Sequence, residues 1–317
     1  MRVLVTGAAG FIGSNYVRYL LANTDDKVTI IDLLTYAGGI DTIADLVEEP
    51  RVTFVKGDIG DRLLLTEIMG GHEAVVNFAA ESHVDRSIVD PDAFVRTNCL
   101  GTNVLCDVAR LAGVERVVHV STDEVYGSTA QGSFVEDDAL SPSSPYSASK
   151  AGSDLIALSH HKTFGLDISV TRASNTYGPF QFPEKIIPLF VTNLLSGQQL
   201  PLYGDGSNIR DWLHVVDHCA AIDLVLRHGE AGQIYNVGGD CELTNLDLTQ
   251  LILELCGADE RSIRRVEDRP GHDLRYSVDS SKVRELGWVP TIDIRSGLAS
   301  TVEWYRSNAW WWQPRRG

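Results

Sequence analysis

Val3-Leu4-Val5-Thr6-Gly7-Ala8-Ala9-Gly10-Phe11-Ile12-Gly13 decides the fold, because an apolar strand runs straight into a G-x-x-G-x-x-G turn that opens a helix. Gly7 permits the tight turn, Gly10 lets backbone approach a pyrophosphate, and Gly13 lets helix lie close on strand. Gly7, Gly10, Phe11, Ile12 and Gly13 then bring amide donors of the helix N-terminus to the anion. A glycine triad alone is a weak signal. Here an acidic residue, Asp32, closes the second strand candidate, Val28–Asp32. Its carboxylate can accept from ribose hydroxyls and would repel a 2′-phosphate, and no arginine closely follows it, so NAD is expected over NADP.

Outward from that turn the first half keeps alternating. Strand candidates are Val3–Thr6, Val28–Asp32, Val52–Lys56, Ala74–Phe78, Val117–Ser121 and Ile168–Thr171. Between them lie amphipathic stretches, Phe11–Leu21, Asp61–Met69, Phe94–Leu111 and Tyr146–Phe164. Near-continuous apolar strands separated by helices predict an α/β fold, a doubly wound parallel sheet covered on both faces. Ligands are expected beyond the carboxyl ends of its strands. Asp58, Ala79, Ala80 and Ser82 stand at such ends. After Arg172 turn-rich stretches appear, and Asp211–Val215, Val216–Arg227 and Gln233–Val237 read as a strand-helix-strand unit returning to the main sheet. The expected division is 1–174 plus about 209–239 for the NAD-binding domain, and about 175–208 plus 240–317 for a smaller C-terminal α/β substrate lobe. The tail Trp310–Arg316 is expected to lie against the body or a partner subunit.

The 317 residues, 44% hydrophobic and 22% charged, suit an ordinary globular protein. With 27 basic and 43 acidic side chains the net charge is −16, which argues against nucleic-acid binding. No signal segment or membrane-length apolar run is seen, so a cytoplasmic location is expected. Cys99, Cys106, Cys219, Cys241 and Cys256 show no CxxC spacing and read as reduced, mostly buried thiols. His83 lacks metal-ligand partners at diagnostic spacing, His160-His161 reads as part of a half-exposed helix, and no metal is expected.

Tyr146 and Lys150 form Y-x-x-x-K, and a spacing of four puts both on one helical face. An ammonium beside the phenol would lower its pKa towards that of a working base, and the same lysine could hold the nicotinamide ribose. Thr122, Asp123 and Glu124 directly follow the fifth strand candidate. Adjacent acids are ordinarily a solvated turn. At the mouth of a dinucleotide cleft they can divide acid and base roles, provided their surroundings pull the pKa values apart.

These residues resemble the extended short-chain dehydrogenase/reductase superfamily, Rossmann-type, and within it the dTDP-glucose 4,6-dehydratase family. The resemblance covers nearly the whole chain. It is carried by Leu34–Gly38, Ala79–Ser87, Ser121–Gly127, Ser144–Lys150, Tyr177–Pro179, Phe182–Lys185, Ile209–Trp212 and Asp268–Asp273. It implies a three-part reaction. Tyr146 takes the carbon-4 hydroxyl proton as hydride passes to NAD, with Thr122 holding that hydroxyl. Glu124 removes the carbon-5 proton while protonated Asp123 assists loss of the carbon-6 hydroxyl, and hydride returns to carbon 6. The cofactor ends as it began. The resemblance further implies cofactor contacts at Leu33, Thr35, Ile59, Thr97 and Thr176. For the nucleotide sugar it implies Ser82, Asn175, Lys185, Pro201, Tyr203, Arg210, Asn245, Arg269 and His272. It also implies a homodimer through Phe94–Leu111 and Tyr146–Phe164. Two departures stand out: Thr176 follows Asn175 where the family usually has a second asparagine, and the segment before Tyr146 is shorter than in longer relatives. Other readings are a UDP- or GDP-hexose dehydratase, a 4-epimerase, which the Asp123-Glu124 pair opposes, and a non-catalytic dinucleotide sensor.

Overall fold

The strands β1 (Arg2–Thr6), β2 (Lys27–Asp32), β3 (Val52–Lys56), β4 (Ala74–Asn77), β5 (Arg116–Thr122) and β6 (Ile168–Ala173) follow the sequence reading closely. The computed structural model describes residues 1–268 and 273–316. Beyond β6 come β7 (Asn175–Tyr177), β8 (Leu200–Tyr203), β9 (Ile209–His214), β10 (Ile234–Val237), β11 (Glu242–Thr244) and β12 (Ile263–Val266). Seven of them form one sheet in the order β10-β6-β5-β4-β1-β2-β3, every pair parallel. The order reverses between β1 and β4, which opens the crevice where such sheets bind ligands.

Alternation along each strand feeds a core on either face. Val3 and Val5 meet Tyr16, Val17 and Leu20 of the helix Phe11–Asn23 together with Ile222 and Val225 of Val215–His228. Leu4, Val75 and Val117 meet Leu65, Met69, Leu105 and Ala157 on the other side. Burial on both faces explains why these strands read as unbroken apolar runs.

Two expectations are corrected. The strand near 211–215 does not return to the main sheet. As β9 it pairs with β7 in parallel and with β11 antiparallel in a separate three-stranded sheet. Its alternation serves two cores, Trp212 in the second lobe and Leu213 in the main one, so it runs between them. Only the helix and β10 of that unit rejoin the main sheet. The helix expected over 94–111 is likewise broken into Pro91–Phe94, a π-turn at Val95–Gly101 and the helix Thr102–Leu111.

The second lobe has its own core, in which Ile187, Phe190, Leu248, Leu298 and Tyr305 surround Trp311 and Trp312. The tail is therefore folded against the body. All five cysteines are free, Cys106 and Cys219 buried and the other three partly exposed. On the half-exposed helix Pro145–Phe164, His160 is buried against Asn103 and His161 partly exposed. Among the described residues no helix is long and apolar enough to cross a membrane.

Candidate active site

At one end of the crevice the glycine turn is fixed by close approach. Gly7 has φ +66°, and a Cβ there would come within 2.6 Å of Ala79 N. One at Gly13 would come within 2.6 Å of Gly7 O. The helix Phe11–Asn23 begins at Gly10 with no side-chain cap and no acidic residue in its first turn. Its leading amides line the cleft and keep their partial positive charge for an anion. Asp32 Oδ2 accepts from Ala9 N and Oδ1 from Leu34 N, both at 2.8 Å. Each carboxylate oxygen keeps lone-pair capacity for a ribose hydroxyl. Asp58 Oδ1 accepts from Gly60 N at 2.7 Å and marks the far wall.

At the other end β5 delivers the acids. Thr122 caps the short turn Asp123–Tyr126, its Oγ1 accepting from Glu124 N at 3.2 Å and donating to Asp123 Oδ1 at 3.3 Å. Asp123 is 3% exposed, and among the described residues its Oδ2 has no hydrogen-bond partner. Burial first, then the charges of Glu124 and Asp211, hold its carboxyl well above the usual range. Asp123 therefore keeps its proton where an ordinary aspartate has lost it.

Tyr146 and Lys150 project from the helix Pro145–Phe164, started by a Ser144–Ser147 capping box with Pro145 in its first turn. Both side chains are buried and line the same cleft. The expected lowering of the phenol pKa is not what the protein alone provides. Burial, then Glu124 and Asp123, push the Tyr146 hydroxyl upward. The Lys150 ammonium instead donates to Val120 O at 2.8 Å. Burial brings its pKa down to about 8, against the pull of Asp154 and Cys99.

Every cofactor contact expected from sequence lines this one cleft, Leu33, Thr35, Ile59, Ala80, Thr97 and Thr176 included. So do the five proposed catalytic side chains and Ser82, Asn175 and Lys185. Pro201, Tyr203, Arg210 and Asn245 do not line it; they belong to the second lobe. Arg210 there donates to the carbonyls of Ile209 and Asp273 and stacks on Tyr276. Arg269 and His272 lie outside the described residues.

Sequence reasoning missed Asn98. It is 1% exposed, brackets Glu81 through Glu81 N→Oδ1 at 2.9 Å and Nδ2→Glu81 O at 3.0 Å, and reaches Ser149 Oγ at 2.8 Å. The π-turn that carries Asn98 also turns Thr97 to the cleft, a common use of such turns. The sequence carries no signal for Asn98, since Arg96, Thr97, Thr102 and Asn103 around it are polar too. Gln181 and His218 were also missed. Gln181 Oε1, His218 Nε2, Asn175 Oδ1 and Asp123 Oδ2 are buried at the cleft without a protein partner. Buried polar atoms are nearly always paired, so this wall fits a polar ligand, as the glycine turn and Asp32 fit a dinucleotide.

Comparison with known proteins agrees with that geometry. The sequence profile of the GDP-mannose 4,6 dehydratase family matches residues 4–301. A dTDP-glucose 4,6-dehydratase of Streptomyces antibioticus is 56% identical over 321 residues, covering 99% of this chain and 95% of its own. That of Streptomyces niveus is 52% identical over 320 residues, covering 99% and 95%. The crystal structure of DesIV, a dTDP-glucose 4,6-dehydratase from Streptomyces venezuelae with NAD and dTDP bound, matches with TM-score 0.98. It is 56% identical and both chains are covered in full.

Proposed function

This chain belongs to the dTDP-glucose 4,6-dehydratases, NAD-dependent hydro-lyases, and on that premise we propose that Tyr146, Asp123 and Glu124 divide the proton transfers on one hexose. The substrate is dTDP-glucose and the products are dTDP-4-keto-6-deoxyglucose and water. The observation that carries the division of labour is one cleft holding Thr122, Asp123, Glu124, Tyr146 and Lys150 beside the glycine turn, with Asp123 biased to stay protonated.

NAD, held by the glycine turn, Asp32 and Lys150, would supply the hydride acceptor for carbon 4 and the hydride donor for carbon 6. Tyr146 Oη takes the proton of the carbon-4 hydroxyl, which Thr122 Oγ1 holds in place. Lys150 keeps a positive charge behind the phenol and is available to a ribose hydroxyl. The ketone at carbon 4 acidifies the neighbouring hydrogen, and Glu124 removes the carbon-5 proton. Asp123 gives its proton to the carbon-6 hydroxyl, which leaves as water; Glu124 then returns its proton to carbon 5, and the proton held by Tyr146 restores Asp123 by way of solvent. Two acids with separated pKa values can act as donor and acceptor in one step. Ser82, Asn175 and Lys185 meet the sugar nucleotide at the cleft, and Arg210 serves the nucleoside diphosphate from the second lobe.

Val95, Leu100, Leu111, Leu155 and Phe164 are exposed apolar side chains on the segments 95–111 and 145–164, and we assign this face to a homodimer in the cytoplasm. Sedimentation as a monomer at micromolar concentration would contradict the dimer.

Incubation with dTDP-glucose and UDP-glucose in parallel, with detection of the keto product, tests the substrate. Glu124→Gln and Asp123→Asn should slow dehydration far more than oxidation, so that NADH absorbance accumulates. Tyr146→Phe should suppress both. Normal turnover by the two acid variants would refute the assignment, and product from UDP-glucose alone would move the chain to another nucleotide.

A further inference from the structure

Three stretches, Leu34–Gly38, Ala79–Ser87 and Phe182–Lys185, meet at the rim of the cleft, and the proposed chemistry leaves their Tyr36, Arg86 and Glu184 unused. Each also lines it, through Thr35 and Gly38, Glu81 and Ser82, and Phe182 and Lys185. Side chains from all three tie the rim together. The Arg86 guanidinium carbon lies 3.4 Å from the centre of the Tyr36 ring. The Tyr36 hydroxyl donates to Glu184 Oε1 at 3.2 Å, and His83 Nε2 stands 3.7 Å from Glu184 Oε2. Phe182 meets the Tyr36 ring edge-on, with centroids 5.5 Å apart. Lys185 Nζ donates to Ser82 O at 3.1 Å.

The position of this knot is specific. Leu34 has φ 59°, a left-handed conformation that costs energy for a leucine and folds the loop back. The Asp32 carboxylate holds it there through Leu34 N. A Cβ at Gly38 would lie 3.0 Å from Asp32 Oδ1 and 3.6 Å from Ala9, so the loop sits over the dinucleotide turn. Burial raises the carboxyls of Glu81 and Glu184; Arg86 counters it at Glu81, and Lys185, the Tyr36 hydroxyl and then Arg86 counter it at Glu184. The Arg86 charge thus reaches the ring and both acids of the rim.

We propose that Tyr36, Arg86 and Glu184 form a clasp that retains the dinucleotide in the cleft from one turnover to the next. The proposal rests on the dehydratase reading, in which the cofactor ends each cycle as it began and has no need to leave. A clasp over the turn that binds the pyrophosphate slows exit without touching the reacting carbons. All three are positioning residues.

The test is an exit rate. Protein loaded with NAD labelled in the nicotinamide is chased with excess unlabelled NAD and sampled by rapid filtration. Arg86→Ala should release label about fivefold faster, the loss of one ring–cation contact made by an exposed guanidinium. Glu184→Gln and Tyr36→Phe should release it several-fold faster. Tyr36→Phe keeps both ring contacts and removes only the hydroxyl, so its folding is not in question, and thermal melts of all three report on the rest. Exit within twofold of the parent rate in all three overturns the clasp. Turnover of dTDP-glucose by the parent is measured alongside. If the parent turns over and exit is unchanged in the variants, the clasp alone fails; if the parent does not turn over, the dehydratase reading fails.

Discussion

Asp123 and Asp154 are both buried aspartates a few residues from the reacting centre, and the protein treats them in opposite ways. Asp154, fully buried on the helix of Tyr146 and Lys150, has Arg172 Nε at 2.9 Å and His119 Nε2 at 3.6 Å. Arg172, itself 2% exposed, also lies over the Tyr126 ring at 4.7 Å. Asp123 has only the Thr122 hydroxyl, and its nearest charged influences include two more carboxylates, Glu124 and Asp211. Burial raises the pKa of both, but Arg172 and Lys150 counter it at Asp154, whereas like charges reinforce it at Asp123. A buried carboxyl can be paired or kept protonated, and only the second can give a proton away.

Removing Asp154 should therefore have the largest effect. Asp154→Ala leaves Arg172 charged, buried and unpaired, at a cost of about 3–5 kcal/mol. That is a large share of the ~5–15 kcal/mol by which a domain is stable. Urea unfolding measures it, and a loss below about 1 kcal/mol would erase the contrast. Asp123→Asn should do the reverse: dehydration slows about 10²–10³-fold while the fold does not suffer. The sign follows from the raised pKa. A carboxyl whose folded pKa lies above its unfolded value costs stability once pH exceeds the unfolded value, and not below it. The variant should match the parent near pH 3 and gain on it at neutral pH. A parent more stable than the variant at pH 7 would show that Asp123 is paired after all.

Lys150 links the two regions. Asp154 stands on its own helix, Cys99 on the π-turn, and His119 and Arg172 on β5 and β6; His119 is kept neutral by burial. With its pKa brought down to about 8, the ammonium is lost as pH rises through that value, so a rate that needs it falls on the alkaline side. Asp154 supports the charge, so Asp154→Asn should move that limb about one pH unit lower. An unmoved limb in kcat/KM would separate Asp154 from the chemistry.

Much of this was legible in the chain because it is local. The glycine turn, Asp32 and the acids after β5 each stand at a strand end, and one strand–turn–helix register fixes where such residues point. The Tyr146–Lys150 spacing put both on one face for the same reason. What the spacing could not contain was the destination of the ammonium: Val120 O belongs to β5, and the two acids that add to burial in raising the phenol stand in the turn after that strand. β9 stands where a strand returning to the main sheet is expected, yet Trp212 and Leu213 enter different cores, which only three-dimensional packing decides. Asn98 was unreadable because nothing in sequence marks a buried polar side chain bridging two loops.

A second ion pair calibrates the first. Arg315, from the Trp-rich tail, reaches Asp41 at 2.5 Å and lies over the Trp311 ring at 4.3 Å, while Trp311 Nε1 donates to Thr42 Oγ1 at 3.0 Å. The tail thus closes on the loop that follows β2. The chemistry matches Arg172–Asp154, but the Asp41 side chain is 44% exposed where Asp154 is sealed. Water already solvates the half-exposed carboxylate, so Arg315→Ala should cost no more than about 1 kcal/mol. Arg315 lowers the pKa of Asp41, so its contribution is present above the usual carboxylate range and fades as pH falls through the lowered value. Salt should weaken it too, whereas the sealed pair should not respond. A loss as large as that of Asp154→Ala would mean that burial is not what separates the pairs, and the contrast between Asp123 and Asp154 would need another cause.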